Sequence, residues 1–290
     1  MKIWVLINPP PVSEDTAYLI GRATSRSVEV CVNIIAPSDD RLPAPPDQRI
    51  DAILNRSFNT HQSFLTQLDA VAADLDIPAV NPGAASYRAC DKRSYIDDFP
   101  DVIPVTQVAH SLDDITRLRD ALDDDVVLKN PYGKQGKEVI RYAGAADDAA
   151  ALALLANAKE SGVVAQAFCR DFVAGDKRII LHRNTTGGFD LAAWFERVPE
   201  AGHWKSNISA GGRIVPCDLD DDERAFAQEV AQVAGLDYIG IDMARQDGRC
   251  LLIETNAYTG GHINFDTDRR AHSGDDFAAM ILRLAEEGRG

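Results

Sequence analysis

YIGIDMARQDGRCLLIETNAYTGG, residues Tyr238–Gly261, is the most informative segment of the chain. Two apolar runs of strand length, Tyr238–Ala244 and Cys250–Asn256, flank a polar turn containing Asp247-Gly248, and Asp-Gly between such runs is a hairpin signal. Glu254 and Asn256 lie two apart and share a face of their strand. A hairpin loop with an odd residue count sets Asp242 opposite Glu254; a two-residue loop sets it opposite Ile253 and breaks the cluster. An ordinary surface hairpin is the alternative, but Glu254 ends the apolar run Leu251-Leu252-Ile253, where a carboxylate is costly to bury without a partner. Two carboxylates and an amide oxygen suit a hard cation. Mg²⁺ usually takes one or two carboxylates and completes its shell with phosphate oxygens, so the segment predicts a nucleotide-bound magnesium.

Working outward, 290 residues suffice for two or three modules around a well-buried core, and 45% hydrophobic with 26% charged residues is ordinary for a globular protein. A formal charge of −15 argues against nucleic acid or an anionic membrane as partner. It leaves ATP open, because local lysines hold phosphates whatever the global charge. Cys31, Cys90, Cys169, Cys217 and Cys250 show no C-x-x-C spacing, so neither a zinc site nor a disulfide framework is expected. The opening MKIWVLINPPP reads as a short strand running into prolines, with no signal peptide or long apolar run, and a cytoplasmic location is the expectation.

The first 83 residues alternate strands (Ile3–Ile7, Val28–Ile35, Ile50–Asn55, Ala79-Val80) with helices (Ser13 to about Ala23, and Gln62–Leu75), the pattern of a small parallel α/β domain. Arg56, after the third strand, either reaches a substrate carboxylate or is a solvated surface arginine. Asn81-Pro82-Gly83 punctuates the chain. A helix is expected from about Ala84 to Asp98, carrying Lys92. Val126-Val127-Leu128-Lys129 places a lysine inside an apolar strand, followed by the Gly- and Lys-rich stretch Asn130–Lys137 and a strand to Tyr142. This is a flap whose backbone N–H groups can approach phosphate; the spacing is not that of a Walker A loop. After an alanine-rich helix, Ala146–Lys159, come the strands Val163–Phe168 and Ile179–His182. Gly175-Asp176-Lys177-Arg178 opens the second, with Asp176 and Arg178 on one face. Trp194–Arg197 is a further strand. Lys205–Arg213, KSNISAGGR, is a basic loop in which Gly211-Gly212 permits close approach of backbone to ligand. Amphipathic helices are expected over Asp220–Ala234 and Asp275–Glu287. His262 is a candidate substrate contact or a plain loop histidine. No protein nucleophile or Ser/His/Asp arrangement is assignable.

This order of pieces, with GDKR at 175–178, KSNISAGGR at 205–213 and GID…LLIETN at 240–256, resembles the ATP-grasp superfamily and, within it, the glutathione synthetase-like and ribosomal-protein glutamate ligase-like branch. The resemblance spans about Asn81 to Thr259 and, loosely, the N-terminal domain. It implies an α/β protein of ATP-grasp fold: two α+β lobes gripping ATP, preceded by the N-terminal parallel domain. The divisions are then 1–83, a small lobe 84–162 with the glycine-rich flap, and a large lobe 163–290 with the metal and substrate site. By similarity Lys92 and Lys129 bind phosphates, with Gly133, Gln135 and Gly136 of the flap closing over them. Gln166, Ala167 and Phe168 line the adenine pocket and Asp176 lies near the ribose. Arg178, Asn207, Gly211, Gly212, Thr259 and Gly260 hold substrate; Arg178 and Lys205 support the tetrahedral intermediate; Asp242, Glu254 and Asn256 ligate Mg²⁺, or Mn²⁺ in its place.

The implied chemistry is an ATP-dependent carboxylate–amine ligation through an acyl phosphate, on an amino-acid or small-peptide substrate, releasing ADP and phosphate. The partners are small-molecule carboxylates and amines, with no nucleic acid or membrane; a homo-oligomer is compatible. Two departures stand out. Lys205 replaces an arginine usual in relatives, a point charge where they carry a fork. Ala257-Tyr258-Thr259-Gly260-Gly261-His262 replaces a Ser-Pro-Thr-Gly type segment that contacts substrate in relatives, so the resemblance implies amide ligation more firmly than glutathione synthesis itself. The alternatives are a synapsin-like ATP-binding regulatory protein and an ATP-grasp small-molecule kinase.

Overall fold

The computed structural model describes residues 1–26, 28–46, 49–134, 136–260 and 267–287. Three sheets organise it. In the first, β1 (Lys2–Ile7), β2 (Glu29–Ile34), β3 (Ala52–Arg56) and β4 (Ala79–Val80) run parallel in the order β2-β1-β3-β4. The central strand β1 is apolar after Lys2, and β3 is buried along its whole length, apolar at Ala52–Leu54 and ending in the buried polar pair Asn55-Arg56. Helices α1 (Glu14–Thr24, capped by Ser13) and α2 (Gln62–Asp74) complete this domain.

The second sheet is antiparallel, in the order β5-β8-β6-β7: β5 (Thr106–Ala109), β6 (Val126–Lys129), β7 (Val139–Tyr142) and β8 (Val163–Ala167). Helices α5 (Leu112–Leu122) and α6 (Asp148–Ala158) pack on it around Ile115, Val126, Leu128 and Val163. Strand β8, which a division at residue 162 assigns to the large lobe, is therefore an inner strand of the small-lobe sheet. The expected helix over 84–98 is broken. Helix α3 ends at Cys90 (Gly83–Cys90), α4 spans Tyr95–Asp98, and Asp91 between them is extended at φ −99°, ψ 101°. Its carboxylate accepts hydrogen bonds from the Arg93 backbone and guanidinium, the local competition by which Asp ends helices. Both helices pack with the large lobe: Ala89, Tyr95 and Phe99 share a core with Ile179, Leu181, Phe226 and Ile239.

The third sheet, β11-β10-β9-β12-β13, is also antiparallel: β9 (Asp176–Arg183), β10 (Phe189–Val198), β11 (Arg213–Val215), β12 (Tyr238–Gln246) and β13 (Arg249–Asn256). Helix α7 (Asp221–Ala234), started by an Asp220/Glu223 capping box, covers one face. The closing helix α8 (Thr267–Glu287) brings Phe277 and Ile281 into a core shared by β1, β9, β10 and α1, which joins the N-terminal domain to the large lobe.

Candidate active site

The hairpin turn is the tight two-residue Asp247-Gly248, with left-handed φ of 53° and 77°, and Gln246 pairs with Arg249. Such a loop alone puts Asp242 opposite Ile253. A β-bulge intervenes: Met243 pairs with Leu252 but Asp242 with Glu254, leaving Ile253 as the extra residue. On the other side of β12, Asp242 pairs with Arg178 of β9. Arg178, Asp242 and Glu254 thus form one row across three adjacent strands.

The row is closely paired. Asp242 is 2% exposed. It accepts from Arg178 Nε at 2.6 Å and Nη2 at 2.7 Å, and from Arg197 Nη2 at 2.8 Å. Burial opposes its ionisation, but the two guanidinium groups outweigh burial and hold its carboxyl down to about 2. Arg197, from β10, also grips Asp176, whose second partner is the Ser206 hydroxyl. Burial raises the Asp176 carboxyl despite these partners. Glu254 meets Lys92 Nζ at 3.0 Å, and Lys92 also donates to the Gly133 carbonyl at 2.7 Å. Lys92 sits on the turn after α3, and its backbone N–H bonds to the Pro131 carbonyl at the flap base at 3.1 Å. Lys129 donates to Gln166 Oε1 at 2.7 Å, and burial pushes its ammonium down to about 8.

Two cavities adjoin this row and share Lys92, Gly133, Arg197, Asn207 and Glu254 as common wall. The first, beneath the flap, brings together Lys92, Lys129, Gly133, Gly136, Gln166, Ala167, Phe168, Asp176 and Lys205 with Asp242 and Glu254. Val127, Val139, Ile253 and Trp204 give it apolar walls, Trp204 meeting Phe168 edge-on at 5.9 Å. Its volume is only about 80 Å³, because the flap lies down on it. Lys205 Nζ donates to the Gly136 carbonyl at 3.0 Å, and Lys134 Nζ to the Phe58 carbonyl at 2.7 Å. Gly136, at φ +66°, approaches Asn207 so closely that a Cβ would stand 2.5 Å from its Oδ1.

The second cavity, about 440 Å³, lies between the hairpin end and the N-terminal domain and holds Arg178, Asn207, Asn256, Thr259 and Gly260. Lys205 lines the first cavity and Arg178 the second. Gly211 and Gly212 line neither cavity. They serve their own loop: Gly211 has φ +90°, and a Cβ on Gly212 would stand 2.1 Å from the Ser206 carbonyl. Gln135, Gly261 and His262 lie outside the described residues.

The donor set fits a hard cation. Asp242 and Glu254 face each other, Asn256 shares the face of Glu254, and the buried Asn256 Nδ2 makes no hydrogen bond, so a rotated amide can turn its oxygen there instead. Among the described residues no three His, Cys, Asp or Glu side chains cluster as a metal site.

Sequence reading missed Arg197, the hub of the row. Its only signal was a charge alternating with Phe195 on an inward face of β10. It also missed Trp204 and the N-terminal contributions of Ser13, Asp15 and Phe58 to the second cavity. Arg56 proves to be 2% exposed rather than a solvated surface residue.

The profile of the prokaryotic glutathione synthetase ATP-grasp domain matches residues 92–261. The chain belongs to this family. Glutathione synthetase of Prochlorococcus marinus (strain MIT 9313) is 32% identical over 201 residues, covering 68% of this chain and 62% of that protein. The Vibrio cholerae serotype O1 enzyme is 29% identical over 201 residues, covering 67% and 61%. The matched region thus spans less than two thirds of these relatives' length. D-cycloserine synthetase DcsG superposes with a TM-score of 0.72 at 16% identity, covering 97% of this chain and all of that one. A RimK domain ATP-grasp protein from Sphaerobacter thermophilus gives 0.69 at 17%, with the same coverage. The fold of this glutathione synthetase family member is accordingly ATP-grasp, with an N-terminal parallel α/β domain. Among its described residues no helix is long and apolar enough to cross a membrane.

Proposed function

We propose that the protein is an ATP-dependent carboxylate–amine ligase that forms an amide through an acyl phosphate and releases ADP. The observation that carries this reading is the shared wall: a phosphate-suited cavity and a second, substrate-sized cavity meet at Lys92, Arg197, Asn207 and Glu254. Such an arrangement sets a carboxylate against the terminal phosphate of a nucleotide while an amine approaches from the other side.

ATP binds in the first cavity, its adenine between Phe168, Val127 and Val139 and its phosphates toward Lys92 and Lys129. Asp242, Glu254 and Asn256 hold Mg²⁺ or Mn²⁺, which when bound neutralises phosphate charge. Arg178 presents its guanidinium to the substrate carboxylate from the second cavity. The carboxylate oxygen attacks the γ-phosphorus, ADP departs, and the amine then displaces phosphate from the acyl carbon. Positioning and charge neutralisation supply the catalysis, so no protein nucleophile is required. Lys205, over the flap, stabilises the closed phosphate end rather than the acyl centre. In the present arrangement Arg178 pairs with Asp242 and Lys92 with Glu254; a cation held by these carboxylates would take over their charge and leave both side chains for substrate and phosphate.

The test is a matrix of amino acids and small peptides as donors and acceptors. It is scored for ADP, phosphate and amide by mass spectrometry, with hydroxylamine as a trap for the activated acyl group. Stoichiometric ADP and amide, with hydroxamate in the trap, is the expected result. A stable phosphate ester would instead make the protein a kinase, and no turnover across the matrix would make it a binding protein.

A further inference from the structure

Arg56 is a buried cation with no carboxylate of a described residue in ion-pair contact. It closes β3 and is 2% exposed. Its Nε reaches Thr16 Oγ1 at 3.4 Å and its Nη2 donates to the Thr259 carbonyl at 3.1 Å; both acceptors are neutral. Its Nη1 is buried and makes no hydrogen bond. The rings of Phe58 and Tyr238 lie 5.8 and 5.7 Å from the guanidinium carbon and offset only part of the burial. A guanidinium carries five N–H donors in a fork shaped for a carboxylate, and burying a charge without a counter-charge is strongly unfavourable. Yet Arg56 faces the 440 Å³ cavity that also holds Arg178.

We infer that Arg56 is a recognition subsite for a free carboxylate, carried by a substrate in addition to the carboxylate that Arg178 holds for activation. This rests on the ligase reading for the role of Arg178; the subsite itself rests on the buried guanidinium without a carboxylate partner among the described residues. Asp15 lines the same wall, so a singly charged carboxylate suits the subsite better than a phosphate dianion. The cavity admits two sources for that group, the acyl donor and the amine acceptor. Both give the same chemistry at Arg56. The consequence is specificity: substrates carrying this carboxylate are selected against their uncharged isosteres, because the isostere leaves the buried guanidinium unpaired.

The experiment measures selectivity ratios in two arms. In the donor arm, glutamyl-glycine is compared with glutaminyl-glycine, and aspartyl-glycine with asparaginyl-glycine. In the acceptor arm, glycine is compared with glycinamide. Each is scored as kcat/KM for amide formation and as a calorimetric Kd on ADP-loaded protein. The wild type is expected to prefer the carboxylate at least about tenfold in one arm, and that arm identifies the source. In Arg56→Met the ratio collapses to near one. Arg56→Lys, which keeps charge but not the fork, gives an intermediate ratio and serves if the methionine variant does not fold. A wild-type ratio near one in both arms, or a ratio unchanged in the variants, overturns the inference. ADP release without amide overturns the ligase reading instead, and the calorimetric ratios then decide Arg56 alone.

Discussion

Lys129 carries its charge in the least favourable surroundings of the site: it is 8% exposed, and its hydrogen-bond partner is the neutral Gln166 amide oxygen. Its pKa is lowered from 10.5 to about 8, mainly by burial, with Lys92 opposing and Glu254 supporting the charged form. Between those values the unfolded chain binds more protons than the folded one, so this lysine makes stability rise with pH from about 8 to 10.5. A phosphate beside it favours the ammonium form. Nucleotide binding should therefore take up a proton, and ADP affinity should fall as pH rises past about 8, approaching tenfold per pH unit. Calorimetry in buffers of different ionisation enthalpy measures this, and Lys129→Arg, charged throughout, should flatten the profile. A flat wild-type profile from pH 7 to 9.5 would remove Lys129 from the phosphate site. Glu254 gives a second prediction. Its side chain is 29% exposed and its partner is Lys92, so Glu254→Gln should shift the thermal midpoint little. Magnesium-dependent turnover should fall roughly 10- to 1000-fold. Turnover against magnesium, measured beside the midpoint, separates a ligand from an idle carboxylate. The types and spacing of Asp242, Glu254 and Asn256 were legible in the chain, but their convergence was not. The Asp-Gly turn by itself set the wrong register, and the bulge at Ile253 that corrects it has no sequence signature. Its effect is local: the bulged Ile253 lines the cavity beneath the flap.

At the scale of elements, the loop between β6 and β7 was legible because glycine and lysine cluster there between two apolar runs. Its clasp was not, since each contact joins residues distant in sequence: Lys134 with Phe58, Lys205 with Gly136, Lys92 with Gly133. Periodicity also overran the break between α3 and α4, where the side chain of Asp91 captures Arg93. It passed over β5, too, whose burial is partial along its length and whose alternation is weak, and over α5, although the Ser111/Asp114 capping box that starts it is a sequence signal. The clasp has a consequence. If the first cavity, at about 80 Å³, takes ATP as proposed, the flap has to lift to admit it and exchange its protein contacts for phosphate. Amide hydrogen exchange over residues 130–137 should slow on adding ATP and magnesium. Lys205→Ala, which frees the Gly136 carbonyl, should speed exchange there in the free protein by several-fold or more. Exchange indifferent to both changes would mean that the segment is not the lid of this site.

Across the whole molecule, alternation of strand and helix was enough to read the N-terminal parallel domain, whereas motif order left β8 on the wrong side of the division between the lobes. What joins them was hidden, because docking depends on which buried polar groups meet. Asn81 shows this. In the sequence, Asn81-Pro82-Gly83 is only punctuation between domains. In the structure Asn81 is 3% exposed and bonds four backbone groups of the large lobe. Its Nδ2 donates to the Tyr238 and Ala257 carbonyls at 2.7 and 2.9 Å, and its Oδ1 accepts from the Asp237 and Tyr238 N–H groups, both at 2.8 Å. These bonds fix the start of β12, which carries Asp242, to the segment after β13, which carries Thr259 and Gly260. Asn81→Ala strands up to four buried backbone partners, and each unmet group costs about 1–3 kcal/mol when no water reaches it. Allowing for partial relaxation, the variant should lose roughly 2–5 kcal/mol, a fall of about 5–15 °C in thermal midpoint. The exposed Asn157 on α6 supplies the control, since Asn157→Ala should lie within about 0.5 kcal/mol of wild type. If the four bonds act as a rivet between domains, hydrogen exchange in Asn81→Ala should rise at residues 237–238 and 257–260 together while the small-lobe sheet is unaffected. A midpoint matching that of Asn157→Ala would show instead that the apolar core shared by β1, β9 and α8 holds the domains together without it.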